Sequence, residues 1–143
     1  MITDDFVECI LDEYEAAGLC GLGSAERAAA KEYIESDIPA DNLLGGVNRK
    51  LAALILHKSL QRLTEEKDED WGPARQFKDI YDCRVCANAV AQVSAKGILP
   101  PIAIDEFGMT EILTEKELKT ATERLFCLQK RVTKLLGFQP TGN

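Results

Sequence analysis

Val7, Ile10, Leu11 and Tyr14 recur at the spacing of one helix face and predict a helix from about Asp4 to Ala17. Thr3 stands where a hydroxyl can accept from first-turn amides, and Gly18 stands where a left-handed residue ends a helix. After a Gly-rich link, Leu19 to Gly23, Ser24 is placed to cap a second helix to about Ser36, with Ala28, Tyr33 and Ile34 as inward positions. Pro39 ends that region. Asn48 opens a third helix to about Leu63, apolar along Leu51, Ala52, Ile55 and Leu56. A fourth runs from about Cys83 to Ala95 and closes at Gly97, after which Pro100-Pro101 forces an extended loop. Thr114 and Glu117 form a capping box for a last helix to about Leu136, with Gly137 as its stop. Leu118, Ala121, Leu125, Leu128, Val132 and Leu135 hold a 3-4 spacing along it for nearly three heptads. Ile38 and Ile102–Ile104 are too short to read as strands, so an all-α helical bundle is expected.

The layout suggests a duplication. Ile10-Leu11-x-x-Tyr14-x-x-x-Gly18-Leu19 aligns with Ala89-Val90-x-x-Val93-x-x-x-Gly97-Ile98, and Val47-Asn48-Arg49-Lys50 aligns with Leu113-Thr114-Glu115-Lys116. The first spacing is longer by about one helix, which marks residues 24–36 as an insertion. The chain therefore reads as a single domain, 1–143: repeat one at about 4–63, an acidic linker at 64–76, and repeat two at about 77–137. Neither helical hairpin can bury its apolar stripe alone, so the two are expected to share one core.

The repeat-two motifs are more telling than the duplication itself. Phe77-Lys78-Asp79-Ile80, Lys96-Gly97-Ile98, Phe107-Gly108-Met109 and Leu113-Thr114-x-x-Glu117-Leu118 follow one another in order. That order resembles the S-layer homology (SLH) repeat, a helix–loop–helix unit of bacterial cell-surface proteins whose pattern is F-x-D-V, K-G-I, F-x-P and L-T-R-x-E. The resemblance covers Phe77–Leu125, and more weakly Ile10–Leu63. Val85 and Cys86 stand where the family has an aromatic-Ala pair, and Met109 replaces the loop proline. The resemblance implies binding of cell-wall polysaccharide in grooves between repeats, with Arg49, Asp79 and Phe107 as the matching ligand positions. Glu115 occupies the second Arg position and reverses its charge, which opposes an anionic polymer.

Composition narrows the choice. Seventeen basic against twenty-four acidic side chains give the 143-residue chain a net charge of −7. That balance argues against nucleic acid as a partner, because phosphate backbones call for clustered Lys and Arg. No apolar run is long enough to span a bilayer, and the acidic start, Met1 to Asp5, lacks the basic and apolar regions of a secretory signal. With no such signal, the expected compartment is the cytoplasm, or the cell surface if a signal has been trimmed. Five cysteines at irregular spacing agree with a reducing compartment and free thiols.

Cys83-Arg84-Val85-Cys86 is a C-x-x-C pair that could serve zinc or redox chemistry. Zinc needs four ligands and His57 is the only histidine. Cys86 also falls on an apolar helical position, so the pair reads first as structural, and no cofactor is expected. His57 has no evident nucleophile beside it. The acidic run Glu65–Asp70 lacks the spacing of a calcium loop and reads as a solvated linker, with Trp71 anchoring it to the bundle. The leading expectation is a non-catalytic, acidic protein-interaction or adaptor module. Its contact would be a protein partner or a second copy, through Phe126, Leu128, Val132 and Leu135 on the last helix. SLH-type wall-polysaccharide binding and a cysteine-based metal or redox protein are the alternatives.

Overall fold

Helix α3, Arg49–Ser59, is the hub of the fold, and none of its residues is exposed. A helix apolar around most of its circumference must be covered on several sides, and α3 packs against three others. The computed structural model describes residues 1–18 and 21–132. Around α3 stand α1 (Thr3–Ala16), α2 (Ser24–Glu35), α4 (Ala87–Ala95) and α5 (Glu115–Phe126). Helices α2, α4 and α5 touch α3, while α1 closes the bundle by packing on α2 and α5. Among the described residues there are isolated bridges but no strand, so the architecture is an all-α bundle. No helix among them is long and apolar enough to cross a membrane.

The core is continuous through both halves. Phe6, Ile10 and Leu11 of α1, Ile55 and Leu56 of α3, Val90 and Val93 of α4, and Leu118 and Leu125 of α5 all belong to it. Each such side chain contributes about 1.5–3 kcal/mol relative to exposure. Helix α2 contributes only Ala30 and Ile34 and is held mainly by charge. Arg27 reaches Glu8 (2.7 Å), Asp12 (2.8 Å) and Glu15 (3.3 Å), and Lys31 reaches Asp4 (2.9 Å) and Glu8 (2.6 Å). Single exposed pairs of this type contribute about 0–1 kcal/mol, but here five share two cations along one seam.

Three helix starts are sewn together at one end of the bundle. Val47 and Asn48, entering α3, run antiparallel to Ile112 and Leu113, entering α5: the Leu113 amide donates to the Val47 carbonyl and the Arg49 amide to Glu111, both at 2.9 Å. Ile2 bridges Gly46 beside them. The Thr3 amide and hydroxyl both donate to the Gly45 carbonyl, at 2.9 and 3.0 Å. Thr3 therefore ties α1 to the α3 entry instead of capping its own helix. Ser24 likewise makes no cap, since Gly23 precedes α2 as its N-cap. Asn48 and Thr114 do cap, accepting from the amides of Leu51 (2.9 Å) and Glu117 (3.1 Å).

The acidic linker is not freely solvated: its backbone is strapped down. The buried Gln92 amide accepts from the Glu69 N–H (2.9 Å) and donates to the Glu69 carbonyl (2.8 Å), as a neighbouring strand would. Lys96 donates to the Lys67 carbonyl, and its ammonium meets Glu66 at 2.8 Å. Asp68 joins His57 (2.7 Å) and Asn88 (2.9 Å), and the Trp71 indole N–H donates to Asn88. Trp71 does anchor the strap.

Helix α5 stops at Phe126, well short of the expected Leu136. Cys127 turns extended (φ −131°, ψ 104°), and the Arg131 guanidinium folds back onto the carbonyls of Arg124 and Leu125 while pairing with Glu66 at 2.9 Å. One cation thus satisfies helix-end carbonyls that another turn would have used. Among the described residues, the heptad spacing past Leu125 consequently forms no helical seam. Leu128 lies in a 3-10 turn, 69% exposed, and the Val132 amide donates to the Gly97 carbonyl (2.9 Å). Phe126, nominated as a partner contact, is half-buried with its ring 5.7 Å from Tyr14. Leu135 and Gly137 fall outside the described residues.

Gly97 has φ +72°, and a Cβ there would stand 2.1 Å from the Val132 carbonyl oxygen. Gly97→Ala is expected to cost more than the roughly 1–2 kcal/mol of its backbone conformation alone, read as a lower urea midpoint; an unchanged midpoint would show that Val132 does not dock there. The Glu66 carboxyl supplies a second prediction. Burial pushes it up, but hydrogen bonds and charge from Arg131 and Lys96 outweigh burial, and it titrates below the ordinary glutamate range. A lowered folded-state pKa means stability that is complete above the unfolded value, roughly 4.3, and lost as pH falls through the folded one. The stability difference between the native chain and Glu66→Gln should therefore be constant from pH 7 to 5 and shrink below pH 5.

Candidate functional site

The loop 107–109 is short of internal hydrogen bonds and is held from outside by two charged side chains. Asp79, only 7% exposed, accepts from the amides of Phe107 (2.9 Å), Gly108 (2.8 Å) and Met109 (3.4 Å). Gly108 makes this possible with φ +88°, a conformation that lets consecutive amides converge on one carboxylate. From the other side Arg49 donates through Nε to the Phe107 carbonyl (2.9 Å) and through Nη2 to the Pro100 carbonyl. Its guanidinium also lies 4.7 Å from the Phe107 ring centre. Phe107 itself is fully buried, 6.2 Å from Phe77.

Arg49, Asp79 and Phe107, drawn from three separate segments of sequence, are thus one cluster. Asp79 and Phe107 face inward and organise the loop. Arg49 does both jobs. Among the described residues no carboxylate lies within ion-pair distance of it, and Nη1 has no hydrogen-bond partner. Burial pushes its pKa down, against the raising influence of Glu111, Glu117 and Asp79, yet a guanidinium stays charged at any physiological pH. A buried cation that hydrogen-bonds only to carbonyls, with its nearest acids beyond ion-pair distance, can still take a direct anion partner.

Arg49 opens onto a cleft of about 280 Å³ lined by Arg49, Leu99, Pro100, Lys116, Glu117, Thr120 and Arg124. Lys116, Thr120 and Arg124 are four residues apart on α5 and so share one face. Neither Lys116 nor Arg124 has a carboxylate partner among the described residues. The one acid present, Glu117, accepts from the Thr114 amide (2.9 Å), and that hydrogen bond lowers its pKa. Glu115, the reversed charge at the second Arg position, instead pairs with Lys119 (3.4 Å). The sequence pattern had pointed to Arg49, but Lys116 and Arg124 carried no signal, because only the packing of α5 beside the Pro100 loop brings them together.

The other candidates fall elsewhere. His57 is occupied with Asp68. Cys83 and Cys86 are joined in a disulfide, which corrects the expectation of free thiols. Cys9 and Cys127 are unpaired and half-buried. No group of acids, cysteines and histidine that could hold a metal exists among the described residues. No family model, no curated protein and no solved structure matches this chain.

Replacing Asp79 by Asn places an amide N–H₂ against backbone donors. Asp79→Asn should cost about 3 kcal/mol in denaturant unfolding and speed hydrogen exchange at Phe107, Gly108 and Met109 selectively. Unchanged exchange at those amides would remove the clamp assignment.

Proposed function

We propose that this protein is a non-catalytic binding module, an adaptor that holds a carboxylate of an acidic segment of a partner protein in the Arg49–Lys116–Arg124 cleft. The observation that carries this reading is three cations lining one cleft, none with an ion-pair partner among the described residues and with Glu117 the one acid beside them, in a chain of net charge −7. Several titratable groups of the kinds used in catalysis are committed to structure: Asp79 to loop amides, His57 to Asp68, and Glu117 to its cap. A guanidinium beside flexible cations suits recognition of a carboxylate, where a planar fork fixes the register and the neighbours add attraction.

A second reading is a wall polysaccharide bearing carboxylates, in keeping with the SLH resemblance. It is favoured by Arg49, which stands at the family's ligand position and reaches the cleft floor. Self-association through a continuous C-terminal seam has less support, since α5 ends at Phe126. Of the nominated contact residues, Leu128 keeps an exposed apolar surface and Leu135 lies outside the described residues.

Titration by heteronuclear NMR tests the assignment. An Asp/Glu-rich peptide should shift the signals of Arg49, Thr120 and Arg124, with affinity falling as salt rises. Lys116→Glu and Arg124→Glu should each weaken binding at least about tenfold without altering the unfolding midpoint. Shifts produced only by a carboxylated polysaccharide would select the second reading, and no shifts with either ligand would refute both.

A further inference from the structure

The cysteine pair at the start of α4 stands apart from the cation-lined cleft. Cys83 and Cys86 form a disulfide across one 3-10 turn, Arg84–Cys86, closed by the Cys86 amide on the Cys83 carbonyl at 3.1 Å. A loop this short constrains the unfolded chain very little. The turn also has other anchors, since Ala87 and Ala89 are buried and Asn88 binds both Trp71 and Asp68. The bond is therefore weakly needed as a staple.

Its two sulfurs are unequal. Cys86 is 2% exposed and sits at the N-cap of α4, where no side chain caps the helix. Burial opposes a thiolate there and the positive end of that helix favours one, so the helix supports Cys86 as the leaving group once Cys83 is attacked. Cys83 is half-buried and lines an open cleft of about 230 Å³ together with Asp82, Glu106, Glu111 and Lys50. Arg84 and Val85 beside it are exposed. One sulfur can be reached from solvent and the other is placed to depart.

We propose that Cys83–Cys86 is a thiol–disulfide exchange centre that oxidises a dithiol on a protein segment flanked by Lys or Arg. A partner thiolate attacks Cys83 Sγ. The new partner–Cys83 bond forms, the Cys83–Cys86 bond breaks, and the electron pair leaves on Cys86, which takes a proton from water. The partner's second thiolate then attacks the partner sulfur, closing the partner's own disulfide and releasing Cys83, which is protonated in turn. The partner loses two electrons and two protons, and the two cysteines gain them. The lining acids Asp79, Asp82, Glu106 and Glu111 outnumber the cations around them, Lys50, Arg84 and the Lys78 that pairs with Glu106 at 3.8 Å, and set the choice of partner: a basic flank is attracted and lowers the pKa of its own attacking thiol.

The test uses the full chain carrying Cys9→Ser, Cys20→Ser and Cys127→Ser, mixed with synthetic two-cysteine peptides flanked by Lys/Arg or by Glu. Alkylation and mass spectrometry follow the peptide. The basic peptide should be oxidised, one equivalent per protein, at least tenfold faster than with Cys83→Ser/Cys86→Ser added. It should also react at least fivefold faster than the Glu-flanked peptide, the gap narrowing in salt, while reduction leaves the far-ultraviolet circular dichroism unchanged. A rate equal to that of the double-serine variant, or helix loss on reduction, overturns the exchange centre; equal rates for the two peptides overturn the partner class. With single variants and the oxidised basic peptide, Cys86→Ser should form a mixed disulfide at least tenfold faster than Cys83→Ser, and the reverse order overturns Cys83 as the attacked sulfur.

Discussion

The clamp on residues 107–109 is the interaction on which the arrangement of the bundle depends. Asp79 binds the loop's amides and Arg49 its carbonyl and ring, so one short loop links the segment before α4 to the start of α3. Backbone groups buried in a loop have no helix or sheet to satisfy them and must find partners elsewhere. Here the partners are charged, and charge-assisted hydrogen bonds are the stronger kind. Because the loop leads directly into Glu111–Leu113, which pairs with Val47–Arg49, the clamp also sets where α5 lies against α3. The cleft between Arg49 and the Lys116–Arg124 face follows from that placement.

Charge is distributed with a purpose that net composition conceals. The acids of α1 form a ladder with Arg27 and Lys31, while those of the strap neutralise Lys96 and Arg131. Lys96 and Arg131 are nearly buried, so losing their shared acid, Glu66, would leave Arg131 with no carboxylate and Lys96 with Glu69 alone, at 3.2 Å. With so many carboxylates engaged, the cations of α5 that lack partners stand out. An acidic protein can thus present a locally cationic cleft on one side and, near Cys83, an acidic one.

Much of the helical framework was readable from the pattern of residues. Asn48 and the Thr114–Glu117 capping box do what their chemistry suggests, and the apolar faces of α1 and α3 go inward. Misreadings occurred where a side chain had a distant competitor. Thr3 could have capped α1, but the Gly45 carbonyl takes its hydroxyl. The 3-4 spacing of Leu128 and Val132 promised more helix, but Arg131 captures the α5 carbonyls and the Gly97 carbonyl captures the Val132 amide. A run of acids suggested a solvated linker, but Gln92 and Lys96, more than twenty residues away, hold its backbone.

By itself the sequence determined that the chain is helical, where most helices begin, and which faces are apolar, because caps and periodicity act over one or two turns. It also marked Arg49, Asp79 and Phe107, though not that they would meet. Only the tertiary structure decided that meeting, the cleft formed by Lys116 and Arg124, the strap, and the end of α5. These depend on hydrogen bonds and charges between residues far apart in the chain. Such partners are selected by how the helices pack, and no local pattern encodes that choice.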